Sequence, residues 1–418
     1  MEYGLIGMPL GHSFSKEIHE ELGFYSYELH EATAEDFGAF MRARNFKAIN
    51  VTIPYKQDVI PYLDEIDPLA AEIGAVNCIV NRNGKLHGYN TDLAGMQALA
   101  AKLGLALEGK KVLICGTGGT SKTARTMAKA AGAKTVLRLS RIAKSGASYA
   151  DVITYAQAYN DHADAQIIIN TTPSGMYPNN ETFPLNAAAF YQLEGILDAV
   201  YNPLETALVQ QGHAMGIPAE GGLYMLVAQA IVAAQHFTGK KLNVAAKTAG
   251  IFHKLERQKR NLVLIGMPGC GKTTVGNLLA QSTGRPLVDT DLLICDMTGK
   301  TPDEIIAEEG EEVFRAIETQ AVAAAAKESG RIIATGGGAI LRDENVGALQ
   351  QNGRLYFIDR PVADLVPTSD RPLSDSEAKI AQLYQQRYPR YVACADEIIT
   401  VNGNAQTVAK LIEKRHFA

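Results

Sequence analysis

Two glycine-rich loops, each directly after a strand-like apolar run, constrain the fold of this chain more than any other feature. The first follows Lys111–Cys115 and reads GTGGTS, and the second follows Leu262–Ile265 and reads GMPGCGKT. In an α/β protein such a loop leads from the end of a strand into a helix, whose N-terminal N–H groups bind phosphate. Because the loops differ in type, the sequence predicts two nucleotide sites and two catalytic units.

Short β-like runs alternate with longer helical stretches over most of the 418 residues. Strand-like runs lie at Lys111–Cys115, Thr135–Leu139, Gln166–Asn170, Gly195–Val200, Leu262–Ile265, Arg331–Ala334 and Arg354–Ile358. Asp92 is predicted to cap a helix that stops at Gly104, and Glu311–Lys327 is predicted to be another helix. This alternation predicts α/β architecture with parallel sheets.

Composition and charge exclude several classes of protein. The net charge of −5 gives nucleic-acid binding no electrostatic support. The longest apolar stretch, 221–237, contains Gln229 and Gln235, so no membrane span is expected. The five cysteines are scattered, and a strand-like run begins at Tyr3 without a signal peptide. We therefore expect a cytoplasmic protein with small molecules as partners, and neither nucleic acid nor a membrane.

The first loop predicts a dinucleotide site. Gly116 allows the tight turn, and Gly118 and Gly119 allow the backbone to approach a pyrophosphate. Ser121 stands where a third glycine is usual. About 20 residues further on, an NAD site would place an acidic residue, but this chain has Arg141, with Lys144 nearby. Because a guanidinium suits a 2′-phosphate, the predicted cofactor is NADP.

Six further motifs occur in order in the first half of the chain. They are residues 7–15 (GMPLGHSFS), 50–56 (NVTIPYK), 74–77 (GAVN), 88–92 (GYNTD), 170–176 (NTTPSGM) and 226–230 (LVAQA). This series resembles the shikimate dehydrogenases over about residues 1–255. The resemblance implies a substrate domain over 1–95, onto which helices of 226–255 pack, and a Rossmann-type NADP domain over 96–225. It also implies the reduction of 3-dehydroshikimate by NADPH.

The resemblance further implies roles for single residues. Lys56 donates a proton to the ketone oxygen, and Asp92 holds the lysine and a neighbouring hydroxyl. Ser13 and Ser15 offer hydroxyl donors to the substrate carboxylate. The other substrate-binding residues are Thr52, Asn77, Tyr201 and Gln229. The cofactor-binding residues are Gly116, Gly118, Gly119, Thr120, Ser121, Arg141 and Gly222.

The second loop fits the P-loop pattern G-x-x-x-x-G-K-[ST]. Backbone N–H groups of 269–274 would surround the phosphates of ATP. Lys272 would reach the β- and γ-phosphate oxygens, and Thr273 would bind Mg²⁺. The predicted nucleotide-binding residues of the loop are Gly269, Cys270, Gly271, Lys272, Thr273 and Thr274.

Motifs after the P-loop indicate the phosphate acceptor. They are 289–291 (DTD), 310–315 (GEEVFR), 334–338 (ATGGG), 370–373 (DRPL) and 387–391 (RYPRY). Residues 261–418 thereby resemble the shikimate kinases. The resemblance implies that Arg315 and Arg387 bind the shikimate carboxylate. It implies that Asp291 orients or deprotonates the attacking hydroxyl and that the backbone at Gly337 approaches the ring. It also implies that Asp289 supports the Mg²⁺ and that Arg371, from a lid, neutralises charge on the transferring phosphoryl group.

Together the resemblances predict a bifunctional enzyme, with a linker over 254–261 and a P-loop kinase domain with a parallel sheet over 262–418. The oligomeric state stays open. Two alternatives also stay open: a dehydrogenase for shikimate or quinate joined to a kinase for another small hydroxylated carboxylate, or one joined to a nucleotide-binding regulatory module without turnover. The sequence support for the regulatory module is the shortened stretch between Pro361 and Arg371, where residues 366–368 (VPT) replace basic lid residues. Against it, the chain retains Lys272, Thr273, Asp289 and Asp291.

Overall fold

The computed structural model describes residues 1–11, 13–365, 377–401 and 403–417. The chain divides into two compact units, Met1–Lys254 and Leu255–Ala418. Helices alternate with strands in both units, so the predicted α/β class is confirmed. Within the described residues, no helix combines the length and the apolar character that crossing a bilayer requires.

The first sheet of unit 1 is mixed, with strand order β2-β1-β3-β5-β6-β4. Its strands are β1 Tyr3–Gly7, β2 Glu28–Glu31, β3 Ala48–Val51, β4 Glu65–Ile66, β5 Cys78–Arg82 and β6 Lys85–Tyr89. Strand β5 pairs antiparallel with β3 and β6, and the other neighbours are parallel. The helices that follow these strands are α1 Ser15–Glu21, α2 Ala34–Ala43, α3 Pro68–Ile73 and α4 Asp92–Lys102.

The second sheet of unit 1 is parallel, with strand order β12-β11-β10-β7-β8-β9. Its strands are β7 Lys111–Cys115, β8 Thr135–Ser140, β9 Val152–Thr154, β10 Ile167–Asn170, β11 Gly195–Asp198 and β12 Ala219–Glu220. The accompanying helices are α5 Gly119–Ala130, α6 Tyr155–Asp161, α7 Ala207–Ala214, α8 Leu223–Thr238 and α9 Val244–Lys259. Buried apolar side chains cover both faces of this sheet, as expected for a parallel sheet with crossover helices.

Helix α8 also packs against the first sheet. Its Ala233 and Phe237 belong to the same buried cluster as Leu5, Tyr27 and Val80. Helices α4 and α8 contact each other. The predicted boundaries at 95/96 and 225/226 fall inside these two helices.

Unit 2 contains a parallel sheet with strand order β14-β15-β13-β16-β17. Its strands are β13 Asn261–Ile265, β14 Leu287–Asp289, β15 Ile332–Ala334, β16 Gly353–Asp359 and β17 Glu397–Thr400. Its helices are α10 Lys272–Thr283, α11 Thr290–Thr298, α12 Pro302–Glu309, α13 Glu311–Lys327, α14 Asp343–Asn352, α15 Glu377–Cys394 and α16 Ala405–Phe417. Strand β13 is buried along its whole length and ends at the P-loop.

One local prediction is wrong. Asp92 does not cap α4, because Thr91 is the N-cap residue and Asp92 lies in the first turn with its carboxylate directed to Lys56. In the predicted linker 254–261, α9 continues to Lys259 and β13 begins at Asn261. The Arg285 guanidinium donates to the carbonyls of residues 257, 258 and 260 at 2.6–3.1 Å, which satisfies the end of this helix.

Candidate active sites

Unit 1 encloses a cavity of about 240 Å³ at the carboxyl ends of strands from both of its sheets. All eight predicted substrate-binding residues line it: Ser13, Ser15, Thr52, Lys56, Asn77, Asp92, Tyr201 and Gln229. Thr120 and Gly222 of the predicted cofactor set also line it. The cavity therefore joins the region of the dinucleotide loop to residues that lie far apart in sequence.

An ion pair between Lys56 and Asp92 lies in the wall of this cavity. Lys56 Nζ is 2.6 Å from Asp92 Oδ2, and the two side chains are 14% and 7% exposed. Lys56 Nζ also lies 3.5 Å from Thr120 Oγ1 at the start of α5. The lysine therefore stands between the carboxylate and the helix that follows the dinucleotide loop.

Side-chain amides hold the carboxylate in place. Asn77 Nδ2 lies 2.8 Å from Asp92 Oδ1, and Asn77 Oδ1 accepts from the backbone N–H of Thr91 at 2.7 Å. Thr91 Oγ1 in turn donates to Gln229 Oε1 at 3.1 Å, which connects α4 to α8. Sequence reasoning did not select Thr91, although it adjoins Asp92 in the motif 88–92.

Hydroxyl groups also line the cavity. The backbone N–H of Ser15, the first residue of α1, donates to Ser13 Oγ at 3.3 Å, so these two residues lie together at the start of the helix. Burial raises the pKa of the Tyr201 phenol, and a hydrogen bond with Ser13 opposes this effect. Three neutral hydroxyl groups therefore lie near one another and can bind an anionic group without a buried cation.

Asp198, which sequence reasoning missed, fixes two loops of the cavity wall. This fully buried carboxylate accepts from Asn170 Nδ2 at 2.9 Å, from the N–H of Val200 at 2.9 Å and from Thr206 Oγ1 at 2.7 Å. Burial raises its pKa to about 7, although these three donors oppose the shift. Its signal in the sequence is an acidic residue at the end of a wholly apolar run, at Gly195–Asp198.

The dinucleotide loop packs closely against a neighbouring loop. Gly116 has φ +105°, and a Cβ at this position would lie 3.0 Å from both Thr171 Oγ1 and Thr172 Cγ2. The buried Ser121 hydroxyl donates to the carbonyl of Gly116 at 2.6 Å, which closes the turn. Gly118 is the N-cap residue of α5, and Gly119 begins it. The helix terminus is thus exposed to a ligand beside Lys56.

Two cations follow the adjacent strand β8. Arg141 is exposed directly after the strand. Lys144 Nζ donates to Thr117 Oγ1 in the dinucleotide loop at 2.9 Å and lies over the Tyr149 ring at 4.9 Å. Lys144 was outside the predicted cofactor set, yet its contact with this loop places a second positive charge where a 2′-phosphate is expected.

In unit 2 the P-loop lies between β13 and α10. Lys272 is buried, and its Nζ donates to the carbonyls of Gly266 at 2.8 Å and Met267 at 3.0 Å. Thr273 Oγ1 donates to Asp289 Oδ2 at 2.7 Å. A hydroxyl beside a carboxylate provides the hard oxygen donors that Mg²⁺ prefers, so Thr273 and Asp289 fit the predicted metal position.

Residues that are predicted to bind the phosphate acceptor lie near this loop. Arg387 Nη1 donates to the carbonyl of Gly337 at 3.1 Å. A Cβ on Gly337 would lie 2.8 Å from the ring of Pro268, so the glycine segment directly adjoins the P-loop. Asp291 is connected to the metal position because its N–H donates to Asp289 Oδ1 at 3.0 Å.

Glu318 is a further acidic group here that sequence reasoning missed. It is 1% exposed and accepts from Arg315 Nη1 at 2.7 Å. Burial raises the pKa of Glu318, while the Arg315 charge opposes the shift. Its spacing of three residues from Arg315 on helix α13 could have revealed the pair. The predicted lid residue Arg371 and residues 366–368 lie outside the described residues.

Two family models match the chain. The model of the shikimate dehydrogenase substrate binding domain matches residues 5–79, and the shikimate kinase model matches residues 268–415. A shikimate dehydrogenase (NADP(+)) from Halothermothrix orenii is 39% identical over 262 residues, which is 57% of this chain and 91% of that protein. The corresponding protein of Geobacillus kaustophilus is 38% identical over 256 residues, which is 57% of this chain and 92% of that protein.

Solved structures agree with these matches. Shikimate dehydrogenase 1 from Peptoclostridium difficile has 33% identity and a TM-score of 0.57, covering 61% of this chain and 98% of that chain. The Thermus thermophilus shikimate 5-dehydrogenase, solved with NADP(H) and shikimate, has 26% identity and a TM-score of 0.52. It covers 60% of this chain and 97% of that chain.

Proposed function

We propose that this chain, which belongs to the shikimate dehydrogenase family and carries a shikimate kinase domain, catalyses two consecutive reactions. The first is reduction of 3-dehydroshikimate to shikimate with NADPH. The second is phosphorylation of shikimate to shikimate 3-phosphate with MgATP. The observation that carries the proposal is the cavity in which Lys56, Asp92 and six further predicted substrate-binding residues meet beside the dinucleotide loop.

In the first reaction the Lys56 ammonium donates a proton to the ketone oxygen of the substrate. Asp92 stabilises the ammonium through its 2.6 Å contact and accepts from a neighbouring ring hydroxyl. Asn77 Nδ2 holds this carboxylate, and Gln229 Oε1 accepts from the same amide at 3.4 Å. Ser13, Ser15 and the Tyr201 phenol bind the substrate carboxylate, while Thr52 lines the same cavity.

The cofactor fits the residues around the loop at 116–121. NADPH, when bound, supplies the hydride for the ketone carbon. Gly118, Gly119, Thr120 and Ser121 present the N-terminus of α5 to its pyrophosphate. Gly222 caps α8 at the cavity wall, and a Cβ there would lie 2.3 Å from the carbonyl oxygen of Ala199, so its position leaves room only for backbone. Arg141 and Lys144 favour NADP over NAD because both can neutralise a 2′-phosphate.

In the second reaction Arg315 and Arg387 bind the shikimate carboxylate, with the backbone of Gly337 against the ring. Asp291 accepts the proton of the 3-hydroxyl, while the oxygen of that hydroxyl forms a bond to the γ-phosphorus. The bond from that phosphorus to the β–γ bridging oxygen breaks, and ADP leaves. Thr273 and Asp289 would hold Mg²⁺, which would offset phosphate charge. We assign Lys272 to the β- and γ-phosphates and Arg371 to the transferring group.

Thiol chemistry supports a cytoplasmic enzyme. All five cysteines are free in the structure, and none forms a disulfide. Reduced thiols are typical of cytosolic proteins.

Substrate-specific assays test each half of the proposal. We expect NADPH oxidation with 3-dehydroshikimate, and ADP release with shikimate but not with a neutral sugar. ADP release with another hydroxylated carboxylate alone would instead support the kinase of altered specificity. Tight binding of MgATP with no turnover on any acceptor would support a regulatory module. NADP⁺ reduction with quinate, compared with shikimate, measures the breadth of the dehydrogenase.

A further inference from the structure

A guanidinium group outside every motif discussed above lies beside the P-loop. Arg360 directly follows β16, the strand that pairs in parallel with β13, with Phe357 opposite Ile265. Both strands end at the same edge of the sheet, where the P-loop begins. Because Pro361 follows, Arg360 is restricted to extended backbone, which ends the strand and keeps the residue at this edge.

The side chain of Arg360 contacts the loop itself. Its Nε donates to the carbonyl of Cys270 at 3.2 Å. Its Nη2 lies 3.9 Å from the position that a Cβ on Gly271 would occupy, next to the first residue of α10. The backbone of β16 is also close to the P-loop, since a Cβ on Gly266 would lie 2.9 Å from the carbonyl oxygen of Ile358.

The charge of Arg360 has no carboxylate partner in ion-pair distance within 1–11, 13–365, 377–401 and 403–417. Lys272, which lies within the loop itself, is buried and directs its ammonium to two loop carbonyls. A guanidinium has five N–H donors, and only Nε of Arg360 is used by the described residues. Among the residues that the structure describes, none accepts from its terminal N–H groups, which lie at the edge of the loop, where a nucleotide polyphosphate brings several negative charges.

We propose that Arg360 binds the polyphosphate of the nucleotide held by residues 266–273. The bond from Nε to Cys270 fixes the direction of the guanidinium, and the terminal N–H groups donate to phosphate oxygens. This inference rests on the proposed function only in requiring that the loop binds a nucleotide, and it does not depend on the acceptor.

Direct binding measurements test the proposal. Dissociation constants of MgATP and MgADP are determined by calorimetry for the full chain and for Arg360→Gln and Arg360→Lys, at several salt concentrations. We expect Arg360→Gln to weaken both nucleotides roughly 10-fold, as for the loss of a charge-assisted hydrogen bond. Arg360→Lys should retain part of the affinity. The decrease of affinity with salt should become less steep in Arg360→Gln, because one charge contact is absent.

A matched control lies on the same strand. Arg354 is near the start of β16, opposite Leu262, at the far edge of the sheet from the loop. At about 3.3 Å per residue, its backbone is roughly 20 Å from that of Arg360. Arg354→Gln removes the same charge and should leave nucleotide affinity unchanged. If Arg354→Gln lost as much nucleotide affinity as Arg360→Gln, the proposed direct contact of Arg360 with the nucleotide would be overturned.

Other results separate this inference from the proposed function. Unchanged nucleotide affinity of Arg360→Gln would overturn the inference. Equal losses of affinity in Arg360→Gln and Arg360→Lys, with an unaltered salt dependence, would also overturn it, because they indicate only a change of loop shape. If MgATP binds and depends on Arg360 while shikimate is not phosphorylated, the kinase assignment fails and the inference stands. If Arg360→Gln phosphorylates shikimate with the wild-type dependence on ATP concentration, the inference fails and the kinase assignment stands.

Discussion

Replacement of Lys56 by alanine removes both the proposed proton donor and the partner of a buried carboxylate. Asp92 then keeps its contact with Asn77 Nδ2 at 2.8 Å but loses the ammonium at 2.6 Å. The substitution should therefore affect turnover and stability through different physical effects, and the two can be measured separately.

The expected magnitudes follow from this geometry. Loss of a positioned acid lowers turnover by ~10²–10⁴, or about 3–5 kcal/mol in the activation barrier. Loss of one partner of a buried ion pair lowers the free energy of unfolding by about 3–5 kcal/mol. We expect a value near the lower limit, about 3 kcal/mol, because Asn77 still donates to Asp92 and the cavity admits water.

Steady-state NADPH oxidation gives the turnover, and urea unfolding gives the stability. The double variant Lys56→Ala with Asp92→Asn should regain stability relative to Lys56→Ala alone, because the uncompensated charge is gone, but it should not regain turnover. Lys47→Ala, which breaks an exposed pair with Glu2, is the control and should oxidise NADPH at the wild-type rate. Turnover of Lys56→Ala within 10-fold of wild type would refute the proposed role of the lysine.

Three further substitutions test other parts of the account. Lys272→Ala should lower shikimate phosphorylation by roughly 10²-fold or more and leave NADPH oxidation intact; loss of both activities in a folded protein would show that the two sites are not independent. Arg141→Asp should shift the ratio of kcat/KM for NADPH and NADH roughly 10-fold or more toward NADH, and an unchanged ratio would remove this residue from the cofactor site. Asp198→Asn tests the carboxyl whose pKa burial raises to about 7. Since the folded state binds this proton more tightly than the unfolded state, its stabilising effect is complete below about pH 4 and is lost as the pH rises through about 7. Urea unfolding should therefore show Asp198→Asn becoming more stable relative to wild type between pH 5 and pH 8, and a constant difference would contradict the buried, shifted carboxyl.

The apolar runs and loop types predicted the α/β class, because strands buried on both faces are nearly continuous in apolar residues. Strand β13, for example, is buried at all five positions. The antiparallel hairpin of β5 and β6 was missed, although Asn83 and Gly84 lie between the strands with φ +54° and +86°. An Asn-Gly pair between two β-like runs is a strong hairpin signal, so this feature was accessible in the sequence.

Other features depend on contacts between residues far apart in sequence. The sequence could not show whether the carboxylate of Asp92 serves its own helix or Lys56, because both uses fit an acidic residue at a helix start. The continuation of α9 to Lys259 depends on Arg285, which satisfies carbonyls at its end. Arg360 belongs to no motif, and only the pairing of β16 with β13 brings it to the P-loop.

A single reaction tests whether the chain catalyses both proposed steps. It contains the purified chain, 3-dehydroshikimate, NADPH, ATP and Mg²⁺. Absorbance at 340 nm follows NADPH, and mass spectrometry identifies the products. We expect consumption of NADPH and accumulation of shikimate 3-phosphate. Consumption of NADPH that stops at shikimate would contradict the kinase assignment, and no consumption of NADPH would contradict the dehydrogenase assignment.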